Sequence, residues 1–134
     1  MNNNGNSWGL TVLRAVLGIV FLMHGGQKLF VWGFHGVAGY LGSFGIPLPM
    51  VAAVVLTLVE CFSGAALVLG LMTRSAGFLL AFDMFVAILV VKLKGGFFTP
   101  NGVEFELMLL ASALCLALAG PGAASVDGAI ARRE

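Results

Sequence analysis

The sequence predicts an all-α integral membrane protein: a bundle of four transmembrane helices, with a glycine-rich interfacial or re-entrant segment between the first and second. Composition is the first observation. Residues are 60% hydrophobic and only 10% charged, whereas soluble domains are roughly 25% charged. The second is a set of long apolar runs, with a mean hydropathy of +1.04. These runs are expected to be helices, because a lipid-embedded segment must satisfy its own backbone and the period-two alternation of barrel strands is absent.

The apolar runs cover about residues 10–30, 50–71, 75–92 and 103–120. A spanning helix needs about 20 residues, so the last two runs are short. Flanking residues or local thinning of the bilayer can extend them. Taken together, the runs make residues 1–134 a single transmembrane domain.

The long connection after the first run is rich in glycine and aromatic residues, and its glycines recur every third position: Gly36, Gly39, Gly42 and Gly45. Pro47 and Pro49 then favour an extended entry into the second run. A short helix or re-entrant turn at the membrane surface is expected here, with aromatic rings at headgroup depth. The next connection, Met72 to Arg74, is so tight that it predicts an antiparallel hairpin.

Basic residues predict the orientation. An even number of spans places both termini on one side, together with Arg14, Arg74, Arg132 and Arg133. The opposite side receives Lys28, Lys92 and Lys94. The positive-inside rule therefore favours cytoplasmic termini, although by a narrow margin.

Several functions are disfavoured by composition. A net charge of +1 provides no basic field for nucleic acid. Cys61 and Cys115 lie in apolar runs without CxxC spacing, which indicates buried thiols and predicts no metal site. No haem-ligand pair, iron–sulfur ligand set or dinucleotide fingerprint is visible, so no cofactor is evident. The N-terminus lacks the basic region of a signal peptide and is expected to be a polar tail before a retained helix.

Ionisable residues inside the apolar runs mark the candidate site. Glu60 lies near the middle of the second run, where a charge is costly unless it faces the bundle interior or a partner. His24 is expected about 9 Å, and Glu60 about 15 Å, below the outer ends of their helices at 1.5 Å per residue. The candidates for binding a ligand or relaying protons are thus His24, Gln27, Lys28, Glu60 and Glu104. Secondary candidates are Arg14, Arg74 and Asp83, the last placed near Glu60 by the symmetry of the hairpin.

Two interpretations of this polar pocket stay open. A buried ion-pair network can serve only to hold the helices in register. Alternatively, ionisable groups at this depth relay protons or bind a polar headgroup.

The chain also resembles the DoxX family of small bacterial membrane proteins. The matching fragments, in order, are Arg14 with Leu17-Gly18, His24 to Phe30, Gly45-Ile46-Pro47, Glu60 with Gly64, Gly70 to Arg74, Gly102-Val103-Glu104, and Gly120-Pro121-Gly122 with Ser125 and Asp127. They cover nearly the whole chain, while Asp83 and the cysteines lie outside the pattern. The resemblance implies a four-helix protein of the bacterial inner membrane that is linked to redox systems. One relative is a subunit of thiosulfate:quinone oxidoreductase, and another belongs to a membrane oxidoreductase complex that handles thiol and oxidative stress.

These observations lead to one functional hypothesis and two alternatives. The hypothesis is an inner-membrane subunit of a quinone- or thiol-linked redox complex, either non-catalytic or reactive with quinone, in contact with lipid and assembled as a homo-oligomer or with redox partners. Quinone is the one cofactor considered, since quinone carbonyls need donors beside an apolar slot. The alternatives are a small proton-coupled transporter and a structural anchor for a soluble partner.

Overall fold

The computed structural model describes residues 4–133, and throughout this range it contains helices and no strand. The helices are α1 (Asn4–Gly26), α2 (Gly33–Gly42), α3 (Pro49–Leu69), α4 (Thr73–Ala87), α5 (Glu104–Ala119) and α6 (Val126–Ala131). π-helical segments extend α1 over Gln27–Trp32 and α4 over Ile88–Lys92, and a 3-10 turn, Leu93–Gly95, follows the second. The predicted all-α fold is confirmed.

In the described chain, three helices are long and apolar enough to cross a membrane. They are Gly5–Gly42, Pro49–Leu69 and Thr73–Gly95. Helix α5 is apolar but has only 16 residues. A fourth crossing by α5 therefore remains a prediction.

The glycine-rich connection is mostly helical. Helix continues beyond Phe30 through the π-helical segment, and Gly33 then adopts φ 71°, a left-handed value that changes the direction of the chain before α2. Val37 and Leu41 of α2 are buried in a small core with Ala53 of α3. This connection thus contains the helix α2, and an interfacial or re-entrant location for it remains a prediction.

The helices pack mainly as two antiparallel pairs, α1 with α3 and α4 with α5, and the tight α3–α4 hairpin joins the pairs. Small residues allow the close approach within each pair. A methyl group added to Gly64 would lie 2.7 Å from the backbone nitrogen of Leu22, and one added to Gly77 would lie 2.8 Å from the carbonyl oxygen of Ala113. Between the pairs lies an apolar core that includes Leu17, Phe21, Leu67, Leu80 and Leu116.

A network of polar bonds ties the chain together where α3 ends and α4 begins. Gly70, with φ 73°, ends α3, and its carbonyl oxygen accepts a bond from the Asp127 amide at 2.9 Å. The Asp127 carboxylate in turn accepts bonds from the amides of Met72 at 2.7 Å and Thr73 at 2.9 Å, which satisfies unpaired donors at the start of α4. The C-terminal segment is therefore fastened to the hairpin.

Candidate functional site

The centre of the candidate site is an ion pair between α3 and the π-helical extension of α1. Lys28 Nζ lies 2.6 Å from Glu60 Oε2. The side chain of Glu60 is only 3% exposed and that of Lys28 15% exposed. Opposite charges at this distance largely neutralise each other, which offsets the cost of burying them. Two of the sequence-predicted site residues are therefore in direct contact.

Local backbone features explain why Lys28 reaches Glu60. A methyl group added to Gly25 would lie 2.9 Å from the backbone nitrogen of Cys61, so the backbones of α1 and α3 approach closely just before the pair. The helix then widens into the π-helical segment that carries Lys28. Such segments often occur at functional sites in other proteins. Hydrophobic patterns reveal neither the close approach nor the widened turn.

A second carboxyl group adjoins the pair. Asp83 of α4 lies close enough to Glu60 for a hydrogen bond between the two carboxyl groups, and it also lies in the field of Lys28. Its Oδ2 atom is buried and has no hydrogen-bond partner among the described residues. The structure therefore brings together three ionisable residues, Lys28, Glu60 and Asp83, which we call the carboxyl cluster.

Thr57 is a nearby polar residue that sequence reasoning missed. It precedes Glu60 by almost one helical turn, so both residues lie on the same side of α3. Its side chain is fully buried, and within the described chain Oγ1 has no hydrogen-bond partner. The three-residue spacing from Glu60 was the available sequence signal.

His24 and Gln27 lie near the cluster in sequence but have other surroundings. His24 Nδ1 donates to the carbonyl oxygen of Val20 at 2.9 Å. Its ring centre is 5.9 Å from that of Phe105 on α5. Gln27 is exposed on the helix surface. In residues 4–133, no hydrogen bond joins His24 to Glu60, whose partner is Lys28.

Glu104 does not join the cluster through a hydrogen bond in the described part of the chain. Its Oε2 accepts from the Thr99 amide at 2.8 Å, within the loop that precedes α5. Glu106, two positions further along and on the opposite side of the helix, lies 3.6 Å from Lys92. An amide in the loop before α5 thus provides Glu104 with a local partner, a contact that the pattern of ionisable residues does not reveal.

The two secondary arginine candidates bind backbone carbonyls away from the cluster. Arg14 Nη2 donates to Ala124 at 2.6 Å. Arg74 Nη1 donates to Leu118 at 2.6 Å, near the end of α5, where carbonyls lack helical partners. Arg14 lies about 21 Å from Lys28 along the helix at 1.5 Å per residue. Neither arginine contributes to the carboxyl cluster.

The cluster can exchange a proton but is not built as a metal centre. A hydrogen bond between two carboxyl groups requires a proton on one of them. Across residues 4–133, no group of three or more histidine, cysteine, aspartate or glutamate side chains is placed to hold a metal ion. The arrangement thus provides one ammonium group, two carboxyl groups and a position for one shared proton.

Membrane-spanning helices around a buried charge cluster define a helical integral membrane protein. The model of the DoxX family matches residues 9–93. This chain belongs to the DoxX family.

Similar proteins occur in distant bacteria. The chain is 36% identical to a Bacillus subtilis protein named "Putative oxidoreductase CatD", over 89% of this chain and 84% of that protein. It is 30% identical to the "Inner membrane protein YphA" of Escherichia coli, over 88% of this chain and 87% of the relative. A Mycobacterium tuberculosis relative, "Uncharacterized membrane protein Rv3486", is 33% identical over 90% of this chain and 80% of its own length. No solved structure matches the chain.

Proposed function

We propose that this protein is an inner-membrane subunit of a redox-linked complex, in which the carboxyl cluster takes up and releases one proton. The observation that carries the proposal is the contact of Asp83 with a Glu60 carboxylate that is already paired with Lys28. An ion pair that served only to hold helices together would not need a second buried acid. The inner-membrane location is supported by the name of the Escherichia coli relative.

Charge accounting supports a shared proton. With Lys28 positive and one carboxyl group ionised, the cluster is neutral when the second carboxyl group carries a proton. Loss of that proton leaves a net charge of −1 among buried groups, which is unfavourable in a medium of low dielectric constant. A nearby change of charge, such as arrival of an electron or of a cation, therefore shifts the proton affinity of the pair.

The redox part of the proposal is supported by the name of the Bacillus subtilis relative. Quinone is the proposed ligand, since it accepts two electrons and two protons when it is reduced to quinol. In this chain, Lys28 has further N–H groups that can donate to a carbonyl oxygen, and the proton shared by Glu60 and Asp83 can replace one consumed nearby. Electrons would come from a partner subunit.

Membranes from cells that express the chain with its native partners provide the test. Quinone reduction should fall at least tenfold in Asp83→Asn, while the amount of folded protein stays unchanged. The matched control is Glu106→Gln, which removes a carboxylate paired with a different lysine. It should retain wild-type activity. Full activity in Asp83→Asn would refute a role for the shared proton.

The same variants separate the alternative functions. If the purified protein reconstituted in liposomes carries protons without any redox partner, and Asp83→Asn abolishes that flux, a proton-coupled transporter replaces the redox proposal. If neither activity exists, but a soluble protein leaves the membrane when the chain is deleted, the anchor interpretation is correct.

A further inference from the structure

A cavity of about 470 Å³ lies at the end of the bundle opposite the carboxyl cluster, where α6 lies beside the end of α3. Arg14 and Ser125 line it together with apolar residues of both helices, among them Val68, Leu69 and Ile130. Arg133 adds a second positive charge to the lining. The cavity thus combines cationic groups with an apolar wall.

Arg14 is deeply buried and only partly hydrogen-bonded. Arg14 is only 3% exposed, and its Nη2 donates a hydrogen bond to the carbonyl oxygen of Ala124. Nε and Nη1 have no hydrogen-bond partner in the described chain. A guanidinium remains charged in proteins, so two buried N–H positions without acceptors are costly. Because the guanidinium lines the cavity, its positive charge can attract an anion there.

The surroundings of Arg14 explain both its burial and its incomplete pairing. Gly70 admits the guanidinium, because a side chain at that position would overlap Nη1. Asp127 is the acidic group that acts electrostatically on Arg14. Both carboxylate oxygens of Asp127, however, already accept hydrogen bonds from the backbone amides of Met72 and Thr73. With Arg133 included, the cavity keeps a net positive charge.

We propose that this cavity binds a phosphate group, supplied by the headgroup of an anionic phospholipid such as phosphatidylglycerol. Phosphate oxygens match the planar donors of arginine, and the Ser125 hydroxyl adds a further donor. A lipid source is favoured because Val68, Leu69 and Ile130 present exposed apolar surface that an acyl chain can cover. The site does not depend on the proton exchange proposed for the carboxyl cluster.

The test measures lipid binding to the full chain by native mass spectrometry after purification in detergent. Phosphatidylglycerol is compared with phosphatidylcholine, and inorganic phosphate is added as a competitor. The variants are Arg133→Gln, Arg14→Gln and the matched control Arg132→Gln, which removes a neighbouring exposed charge that does not line the cavity. Arg133→Gln keeps the proposal testable if Arg14→Gln fails to fold.

Wild-type protein should retain phosphatidylglycerol in preference to phosphatidylcholine. Arg133→Gln should weaken this binding about fivefold, on the scale of one basic residue at an anionic lipid surface, and Arg132→Gln should leave it unchanged. Competition by inorganic phosphate, with no preference between the lipids, would support the phosphate site but overturn its lipid source. If Arg132→Gln and Arg133→Gln weaken phosphatidylglycerol binding equally, or if no phosphate-dependent binding is found, the proposed site is wrong.

Discussion

Replacing the two acids of the carboxyl cluster, singly and together, tests how they share Lys28. In Glu60→Gln, the carboxyl group of Asp83 is near enough to lose its proton and become the new partner of Lys28. The free energy of unfolding should then fall by the contribution of one altered hydrogen bond, about 0.5–1.5 kcal/mol. Asp83→Asn should cost a similar amount, because the Lys28–Glu60 pair at 2.6 Å is kept.

The double variant Glu60→Gln/Asp83→Asn should behave differently. It leaves the Lys28 ammonium without any carboxylate in a buried site, a change that typically costs about 3–5 kcal/mol. The loss of unfolding free energy in the double variant should therefore exceed the sum of the losses in the two single variants by at least about 1 kcal/mol. Such a coupling is expected for residues in contact.

Equilibrium unfolding in mixed micelles measures these free energies. Glu106→Gln is the control, since it removes only a partly exposed pair with Lys92 and should cost about 0–1 kcal/mol. Additive costs in the double variant, or a full loss of about 3–5 kcal/mol in Glu60→Gln alone, would show that Asp83 does not substitute for Glu60.

Other parts of the fold give three further expectations. Asp127→Ala removes the acceptor for two amides at the start of α4 and should cost about 1–2 kcal/mol in thermal unfolding; an unchanged midpoint would contradict this assignment. Gly64→Ala should destabilise by about 1–3 kcal/mol because its methyl group would meet backbone, whereas Gly39→Ala, which has open space, should be neutral or stabilising. A cysteine introduced at Ser125 should resist labelling from outside the cell, and labelling there would overturn the predicted cytoplasmic termini.

Hydropathy and charge placement predicted the helical membrane fold well, because apolar runs and lipid leave the backbone few alternatives. The predicted polar pocket grouped Lys28 and Glu60 with His24, Gln27 and Glu104, and among the described residues Lys28 pairs directly with Glu60. Asp83 was placed near Glu60 by the symmetry of a tight hairpin, and the structure has them in contact. Both placements used helix geometry alone.

Other features depend on local backbone competition that periodicity does not reveal. The turn at Gly33, with φ 71°, redirects the chain into α2, and spacing alone could not distinguish this from other glycine-rich arrangements. Glu104 binds the Thr99 amide because the loop before α5 presents an unpaired donor. The hydrogen-bond partner of a polar side chain such as Glu104 therefore depends on the backbone path of the neighbouring loop, which the sequence pattern does not give.

The central claim is that Glu60 and Asp83 share one proton beside Lys28. Infrared difference spectroscopy of the purified protein, recorded across a pH titration, measures the C=O stretch of a protonated carboxyl group directly. One such band is expected in the wild type at neutral pH, with its loss in Asp83→Asn and its retention in Glu106→Gln. A wild-type spectrum without a protonated carboxyl band at neutral pH, or a band that persists unchanged in Asp83→Asn, would show that the two residues do not share a proton.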